Sequence, residues 1–276
     1  MRLCQVIVSA LVLALPALSE ARMYRSDFSG EVGIVNPNTA AFSVLGNPGG
    51  DSPVSGLCAD TSGRLFGSRR TSSQVTDLIE INPISGNLIG TIGPIKNGMT
   101  NLRITDLACQ PSTGVIFGLD SSTPSKLFTI DKTTAAATLI GTTSLDRGGL
   151  AFSPDGRLFV VSLSEEFAEI SPTTAATIGL LHDTDTCLDG FGIRPNDSQG
   201  FATLCGDVDT AILYRIDLST GALTVVGNMP DWGTDLEFID TPNPAPSMSQ
   251  TGLAMLAILL CVTAVVRIRG KRHARC

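Results

Sequence analysis

Histidine is almost absent from this chain of 276 residues. There are two, His182 and His273, and only His182 lies in the central part. No GxSxG elbow and no Cys–His pair accompanies it, which removes the usual serine and cysteine nucleophile arrangements. Phosphate-cradling glycine loops and dinucleotide fingerprints are missing as well. Aromatic residues make up 5% of the chain, with one Trp and two Tyr, so a core must pack from Leu, Ile, Val, Ala and Phe. Basic residues are scarce too. Of 19 Lys and Arg, Arg2 lies in the leader and five lie in the last ten residues; of 26 Asp and Glu, only Glu20 lies outside residues 22–240. That central stretch therefore carries a net charge near −12, which argues against a nucleic-acid partner. No cysteine pair has CxxC spacing, so zinc and dithiol redox chemistry are not indicated. Long apolar runs are limited to the two ends.

What is present is a repeated phrase. Leu213 to Ile216 is rich in strand formers, Asp217 to Gly221 is turn chemistry, and Leu223 to Val226 is a return strand stopped by Gly227. The phrase recurs around Asn36, Asn82, Asp131 and Ser171, and the five anchors are 46, 49, 40 and 46 residues apart. Periods of about 40–50 residues with several strands each indicate propeller blades. Three copies carry Ala where Gly is expected, so the sequence alone does not require one turn type in all five. A second strand–turn–strand phrase precedes each hairpin, at Gly56–Gly67, Asp106–Gly118, Gly149–Val160 and Gly190–Ala202. Each complete unit therefore has four strands, a to d, and the units lie near 56–93, 106–143, 148–181 and 189–229. One strand is left at the end (235–239) and three at the start (Met23-Tyr24, 32–35 and 42–45). They add up to a fifth blade shared by both ends, which covers edges otherwise exposed. The expectation is an all-β, five-bladed propeller; a sixth, irregular blade hidden in a loop is the alternative. The turn Ser153-Pro154-Asp155-Gly156 resembles that of YVTN, NHL and WD40-like propellers, a resemblance that implies fold and not activity.

Residues 1–21 read as a Sec signal peptide: Arg2, an apolar stretch from Val6 to Leu15, and small residues at Ser19 and Ala21. An exported domain at 22–240 with four cysteines suggests disulfides. Cys187 and Cys205 flank one strand pair of a single unit. Cys58 and Cys109 lie in the first strands of neighbouring units, with two small buried side chains as the alternative reading there. Residues 241–251 read as a Pro-rich linker, 252–268 as a transmembrane helix whose apolar run to Val266 is short for a permanent span and needs Ile268 or a thinned bilayer, and 269–276 as a basic cytoplasmic tail. The segment containing Pro246, Ser247, Met248, Ser249 and Gly252 resembles the IPTL-CTERM sorting signal, a relative of PEP-CTERM, with Pro246, Ser249 and Gly252 matching and Ser247 and Met248 softened. The resemblance implies processing by an exosortase-like enzyme, an inner-membrane intermediate, and release to the bacterial envelope, surface or medium. An ordinary single-pass anchor is the alternative.

The c–d turns are repetitive and the b–c and d–a loops vary, so binding is expected on the face formed by the variable loops. Arg69, Arg70, Asp120, Arg147, Asp183, Asp185, Asp207 and Asp209 are its candidates, together with Glu165 and Glu166. Asp106, Asp189 and Asp235 lie at or just before strand a and are expected near the mouth of the channel. They are the residues to bet on if the protein is a two-carboxylate hydrolase or lyase. The spacing of Asp183, Asp185 and Asp189 vaguely suggests a calcium loop, without the third regular Asp or terminal Glu of an EF-hand, so no cofactor is assigned and Ca²⁺ is the alternative. The leading expectation is a non-catalytic module that binds a protein or glycan.

Overall fold

The computed structural model describes residues 21–206, 211–230 and 233–239. The leader, the linker and sorting motif, the apolar segment, the basic tail, Asp207 and Asp209 lie outside the described residues. Five four-stranded antiparallel sheets are present, four of them taking their strands in sequence order from inside to outside. The inner strands of blades 1 to 4 are Val54–Ala59, Ile104–Cys109, Leu150–Phe152 and Leu188–Ile193. In the shared blade the C-terminal strand Gly233–Ile239 is innermost and pairs with the N-terminal strand Arg22–Asp27, in register Arg22↔Ile239 to Ser26↔Asp235. Ring closure thus uses backbone hydrogen bonds between the two ends of the domain. No sixth blade forms among the described residues. The stretch between blades 1 and 2 makes only a small hairpin, Lys96–Asn97 against Thr100–Asn101.

Alternating apolar residues on each strand put side chains on both faces of every blade, and adjacent blades bury them against one another. One cluster joins Phe66 and Leu78 of blade 1 to Leu107, Ile116 and Phe128 of blade 2. Equivalent clusters fill the other four wedges, including Tyr24, Val32 and Ile239 of the shared blade against Leu57, Leu65 and Ile79 of blade 1. The core is therefore five wedges rather than one centre. The Tyr24 hydroxyl caps its wedge by donating to the Pro83 carbonyl at 2.8 Å.

All five c–d turns prove to be one turn type. The fifth residue has positive φ in every copy, at 59° for Ala40, 67° for Gly86, 59° for Ala135, 63° for Ala175 and 72° for Gly221. Each donates its N–H back to the anchor four residues earlier at 2.8–2.9 Å. The anchor's side chain accepts a second N–H, as in Thr133 to Asp131 at 2.8 Å and Ser219 to Asp217 at 2.8 Å. The three alanines accept left-handed strain because their methyl groups are fully buried. The turn of each blade packs on the outer strand of the blade before it, or just beyond that strand's end. Ala40 meets Gly227, Gly86 meets Gly46, Ala175 meets Gly141 and Gly221 meets His182. The Ala135 carbonyl accepts from Lys96 at 3.3 Å. A register shift recurs in every c–d pair, for example at Leu127/Phe128 and Leu213/Tyr214, and strengthens the twist that brings the outer strand to the next blade. The shared phrase is therefore a lock between blades.

The Cys187–Cys205 disulfide forms, and of the two readings for Cys58 and Cys109 the disulfide is the one present. Cys187–Cys205 links the flanks of strands a and b in blade 4, and Cys58–Cys109 links the inner strands of blades 1 and 2.

The lock predicts an asymmetry. A Cβ on Gly141 would lie 2.3 Å from the Thr174 carbonyl oxygen, so Gly141→Ala should cost about 1–3 kcal/mol. Ala175→Gly relieves left-handed strain while losing one buried methyl, and these roughly cancel at about 1 kcal/mol each. Urea midpoints should fall clearly for the first and change little for the second. Equal losses in both would show that the turn does not dock as described.

Candidate functional site

The inner strands crowd the axis. Gly56, Gly149 and Gly190 occupy equivalent positions in blades 1, 3 and 4, and Asp106 and Asp235 occupy that position in blade 2 and the shared blade. A Cβ on Gly56 would lie 2.6 Å from the Leu107 nitrogen, and one on Gly190 would lie 2.8 Å from the Asp235 Cα. Only glycine lets the strands approach this closely, and the gaps left are filled by the two carboxyl groups. Asp106 accepts from Leu107 N–H at 2.7 Å and from Leu150 N–H of blade 3. Asp235 accepts from Leu236 N–H at 2.6 Å and from Leu57 N–H of blade 1. A further hydrogen bond joins the two carboxyls. Burial holds both Asp106 and Asp235 well above the usual carboxylate range, with their mutual proximity adding to the effect on Asp106, so the pair favours its protonated forms. This layer closes the channel and separates the two faces.

A pocket opens above the layer, on the face of the b–c and d–a loops. Its volume is about 100 Å³. Arg70 ends strand b of blade 1, Arg103 precedes blade 2 and Arg147 precedes blade 3; their side chains line the pocket with Asp189, and Phe28 and Leu163 form its apolar rim. The backbones of the three arginines are fixed in the same way. Arg70 N–H donates to the Pro53 carbonyl at 2.9 Å, Ser121 N–H to the Arg103 carbonyl at 3.0 Å, and Leu163 N–H to the Arg147 carbonyl at 3.0 Å. Burial, with Arg70 and Arg147 nearby, lowers the Arg103 guanidinium from its ordinary value. Burial lifts the Asp189 carboxyl to about 7, against the opposing charge of Arg147.

The structure divides the sequence candidates. Arg70, Arg147 and Asp189 meet at the mouth. Asp106 and Asp235, expected there too, lie one layer deeper and are sealed, because the innermost strands leave no open channel. Arg69 turns away within blade 1, bonding Asp77 at 3.3 Å and Thr91 at 3.0 Å. Asp120 is buried and organises its own loop, accepting from Ser122 N–H at 3.1 Å and Lys126 N–H at 2.8 Å. Asp183 and Asp185 are exposed, with Asp185 N–H donating to Asp183 at 2.9 Å. Among the described residues, no three His, Cys, Asp or Glu side chains lie together as a metal-binding group. His182 packs on Phe167 with ring centroids 6.1 Å apart.

Two residues that the sequence reading passed over belong to the ends of the axis. One is Arg103. The other is Glu237, which sits on the a–b turn face in a cavity of about 270 Å³ walled by Ala108, Ala151, Phe152, Ile193 and Phe238. Burial lifts its carboxyl to about 8, although the N–H of Ala59, 2.9 Å away, and that of Phe238 oppose the shift. At the rim, burial also opposes ionisation of Asp60. Lys132 at 2.7 Å and the donors of Ser62 and Arg64 outweigh it and bring that carboxyl down to about 2. The larger cavity offers an apolar wall and one neutral acid, whereas the smaller one holds the clustered charge. A register of the five inner strands reveals Glu237 as the odd member of a column otherwise occupied by Cys58, Ala108, Ala151 and Gly192.

No family model matches the chain, and no curated protein matches it. Among solved structures, a Bacteroides caccae protein of unknown function is similar at 10% identity and a TM-score of 0.43, covering 80% of this chain and 99% of that one.

The raised carboxyls set the direction of the pH dependence. A carboxyl whose folded pKa exceeds its unfolded value stabilises the fold below the unfolded value, near 4.5 for Glu237, and that contribution is lost as pH rises toward about 8. Asp60 acts oppositely, and its contribution is lost as pH falls from about 4 to about 2. Unfolding free energy should therefore peak on the acidic side of neutrality and decline between about pH 5 and pH 8. Glu237→Gln should flatten that decline and gain about 1–3 kcal/mol at pH 8. Denaturant titrations at several pH values check it; an unchanged slope in the variant would show that Glu237 ionises freely.

Proposed function

We propose that this protein is an exported, non-catalytic binding module that takes a protein or glycan ligand on the loop face of its propeller. The five-bladed all-β arrangement fits such a module. The observation that carries the reading is the convergence of variable b–c and d–a loops on a closed-bottomed pocket, with rigidly mounted arginines around it. Rigid scaffolds that present variable loops concentrate binding there. The repetitive turns of the opposite face are taken up in holding blades together. The alternative, an exported hydrolase or lyase, finds only Asp189 at the mouth among the described residues, whereas glycoside hydrolysis uses two facing carboxyls. The sequence of leader, domain, Pro linker, apolar segment and basic end supports Sec export, a single-pass inner-membrane intermediate and sorting to the envelope by an exosortase-like enzyme.

Two measurements test this. Full-length protein is screened against envelope glycans and peptides, comparing Leu163→Glu on the loop face with Pro154→Glu on the turn face. Binding should be lost only with the first. Loss only with the second would move the site to the other end, and turnover of glycoside probes that disappears in Asp189→Asn would establish the enzyme instead. Intact mass of the protein from a host with the sorting enzyme should give a species starting near Arg22 and ending within 246–252. An inner-membrane species that keeps Arg275 would overturn the sorting.

A further inference from the structure

We propose that the loop-face mouth is an oxyanion site, in which Arg70, Arg103 and Arg147 hold a single carboxylate, sulfate or phosphate group of the ligand and Asp189 is their internal counter-charge. The inference rests on the loop-face reading and names the chemistry of that site.

The charge distribution is the first reason. The domain is strongly acidic, and its other arginines are mostly spent on nearby carboxylates: Arg64 on Glu80 at 2.7 Å, Arg69 on Asp77 at 3.3 Å and Arg157 on Glu169 at 2.6 Å. Among the described residues Arg70, Arg103 and Arg147 make no such pair. Three guanidinium groups instead face one pocket with one acid, Asp189, near Arg147. Like charges are held together here against their mutual repulsion, which an incoming anion would relieve.

Geometry is the second. The three arginines come from three separate chain positions, each anchored by a backbone hydrogen bond between a d–a loop and the end of strand b. Such a frame spends little ordering entropy on binding. Two of the neighbouring hydroxyls are already committed, Thr234 donating to the Val54 carbonyl at 2.6 Å and Thr105 to the Leu119 carbonyl at 3.3 Å, while Ser55 also lines the pocket. The charged donors are the guanidinium forks, which match the oxygens of a carboxylate, sulfate or phosphate in pairs. About 100 Å³ is room for about three water molecules, at about 30 Å³ each, which suits one anionic group and not a whole sugar ring. The Gly/Asp layer closes the floor, so the group enters from the loop face and the rest of the ligand stays outside.

Asp189 makes the site sensitive to pH. Its carboxyl is pushed up to about 7. Among the described residues Arg70, Arg103 and Arg147 are the charged groups lining the pocket with it, and the buried Asp106–Asp235 pair lies in the layer below. Under acidic conditions Asp189 is neutral and three positive charges face the anion. Above about pH 7 its negative charge cancels one of them. Anion affinity should therefore fall as pH rises, and by linkage a bound anion promotes proton uptake at Asp189.

The probe is sodium sulfate, which does not titrate in this range, added to the full-length protein at fixed ionic strength and followed by NMR shifts of the Arg103 and Arg147 amides. Saturable binding is expected at pH 6, weaker at pH 8 on the order of tenfold, the effect of one charge a few ångströms away in a partly screened pocket. Arg103→Gln and Arg147→Gln should each abolish saturation, and Arg157→Gln should leave it unchanged. Asp189→Asn should keep the pH 6 affinity at both pH values. Arg103→Lys, which keeps the charge but loses the fork, should bind with intermediate strength and serves if the Gln variant does not fold. A linear, unsaturable response, or one indifferent to the arginine variants, overturns the site. If sulfate fails to bind while Leu163→Glu still abolishes macromolecular binding, only the oxyanion inference falls. If sulfate binds as described and Leu163→Glu leaves macromolecular binding intact, the loop-face function falls instead.

Discussion

Crowding of five inner strands around one axis is the constraint on which the rest of this domain depends. Strands cannot come this close with ordinary side chains between them, so Gly56, Gly149 and Gly190 are needed where they stand. The remaining space takes two carboxyl groups, and they do work that backbone alone could not. Inner strands of neighbouring blades do not continue one sheet, so their facing N–H groups need acceptors. Asp106 supplies one to Leu150 of the next blade, and Asp235 supplies one to Leu57. Glu237 extends the same logic by accepting from Ala59. Burying these acids raises their pKa values, and the consequence is a domain stitched by acids that prefer to be protonated.

The periphery solves the complementary problem. Blades diverge outward, and their outer strands would be held only by their own sheet. The buried alanine or glycine of each c–d turn bridges to the preceding blade and completes the wedge. A left-handed alanine is tolerable because its methyl group is fully packed, so conformational strain and burial are of similar size and opposite sign. The same residue is thus constrained twice, by its φ and by its neighbour, and this is why the phrase repeats so closely while the loops around it do not.

Periodic features were legible in the sequence and unpaired features were not. The anchors Asn36, Asn82, Asp131, Ser171 and Asp217 gave the blade count, and the leftover strands at both ends gave the shared blade, because each obeys a local rule repeated five times. Cys187–Cys205 followed from strand position, whereas Cys58–Cys109 stayed open because those residues sit one position out of register in neighbouring blades. The turn type escaped, since Ala40, Ala135 and Ala175 look wrong for positive φ until the surface that buries them is known. Asp106 and Asp235 were placed at the mouth because their neighbours in sequence are loops; the depth of a residue on the axis depends on how closely other blades approach. Arg103 had no motif around it. Only its equivalence to Arg147, each lying just before an inner strand with its carbonyl held from the loop that follows strand b, marks it, and that equivalence comes from aligning the blades to one another.

The closed layer also explains why the two faces can differ in chemistry. Among the described residues the buried Gly/Asp layer lies between the arginines above and Glu237 below, which line separate pockets. Each inner strand carries alternating positions that serve the mouth, the layer and the turn-face cavity in succession, as Thr234, Asp235 and Glu237 do along one strand. A substitution at the layer would disturb the packing of all five blades, while one at the mouth alters only what that pocket attracts. On the proposed reading, loop-face residues such as Arg103 and Leu163 would set ligand choice on a frame whose stability is set one layer down.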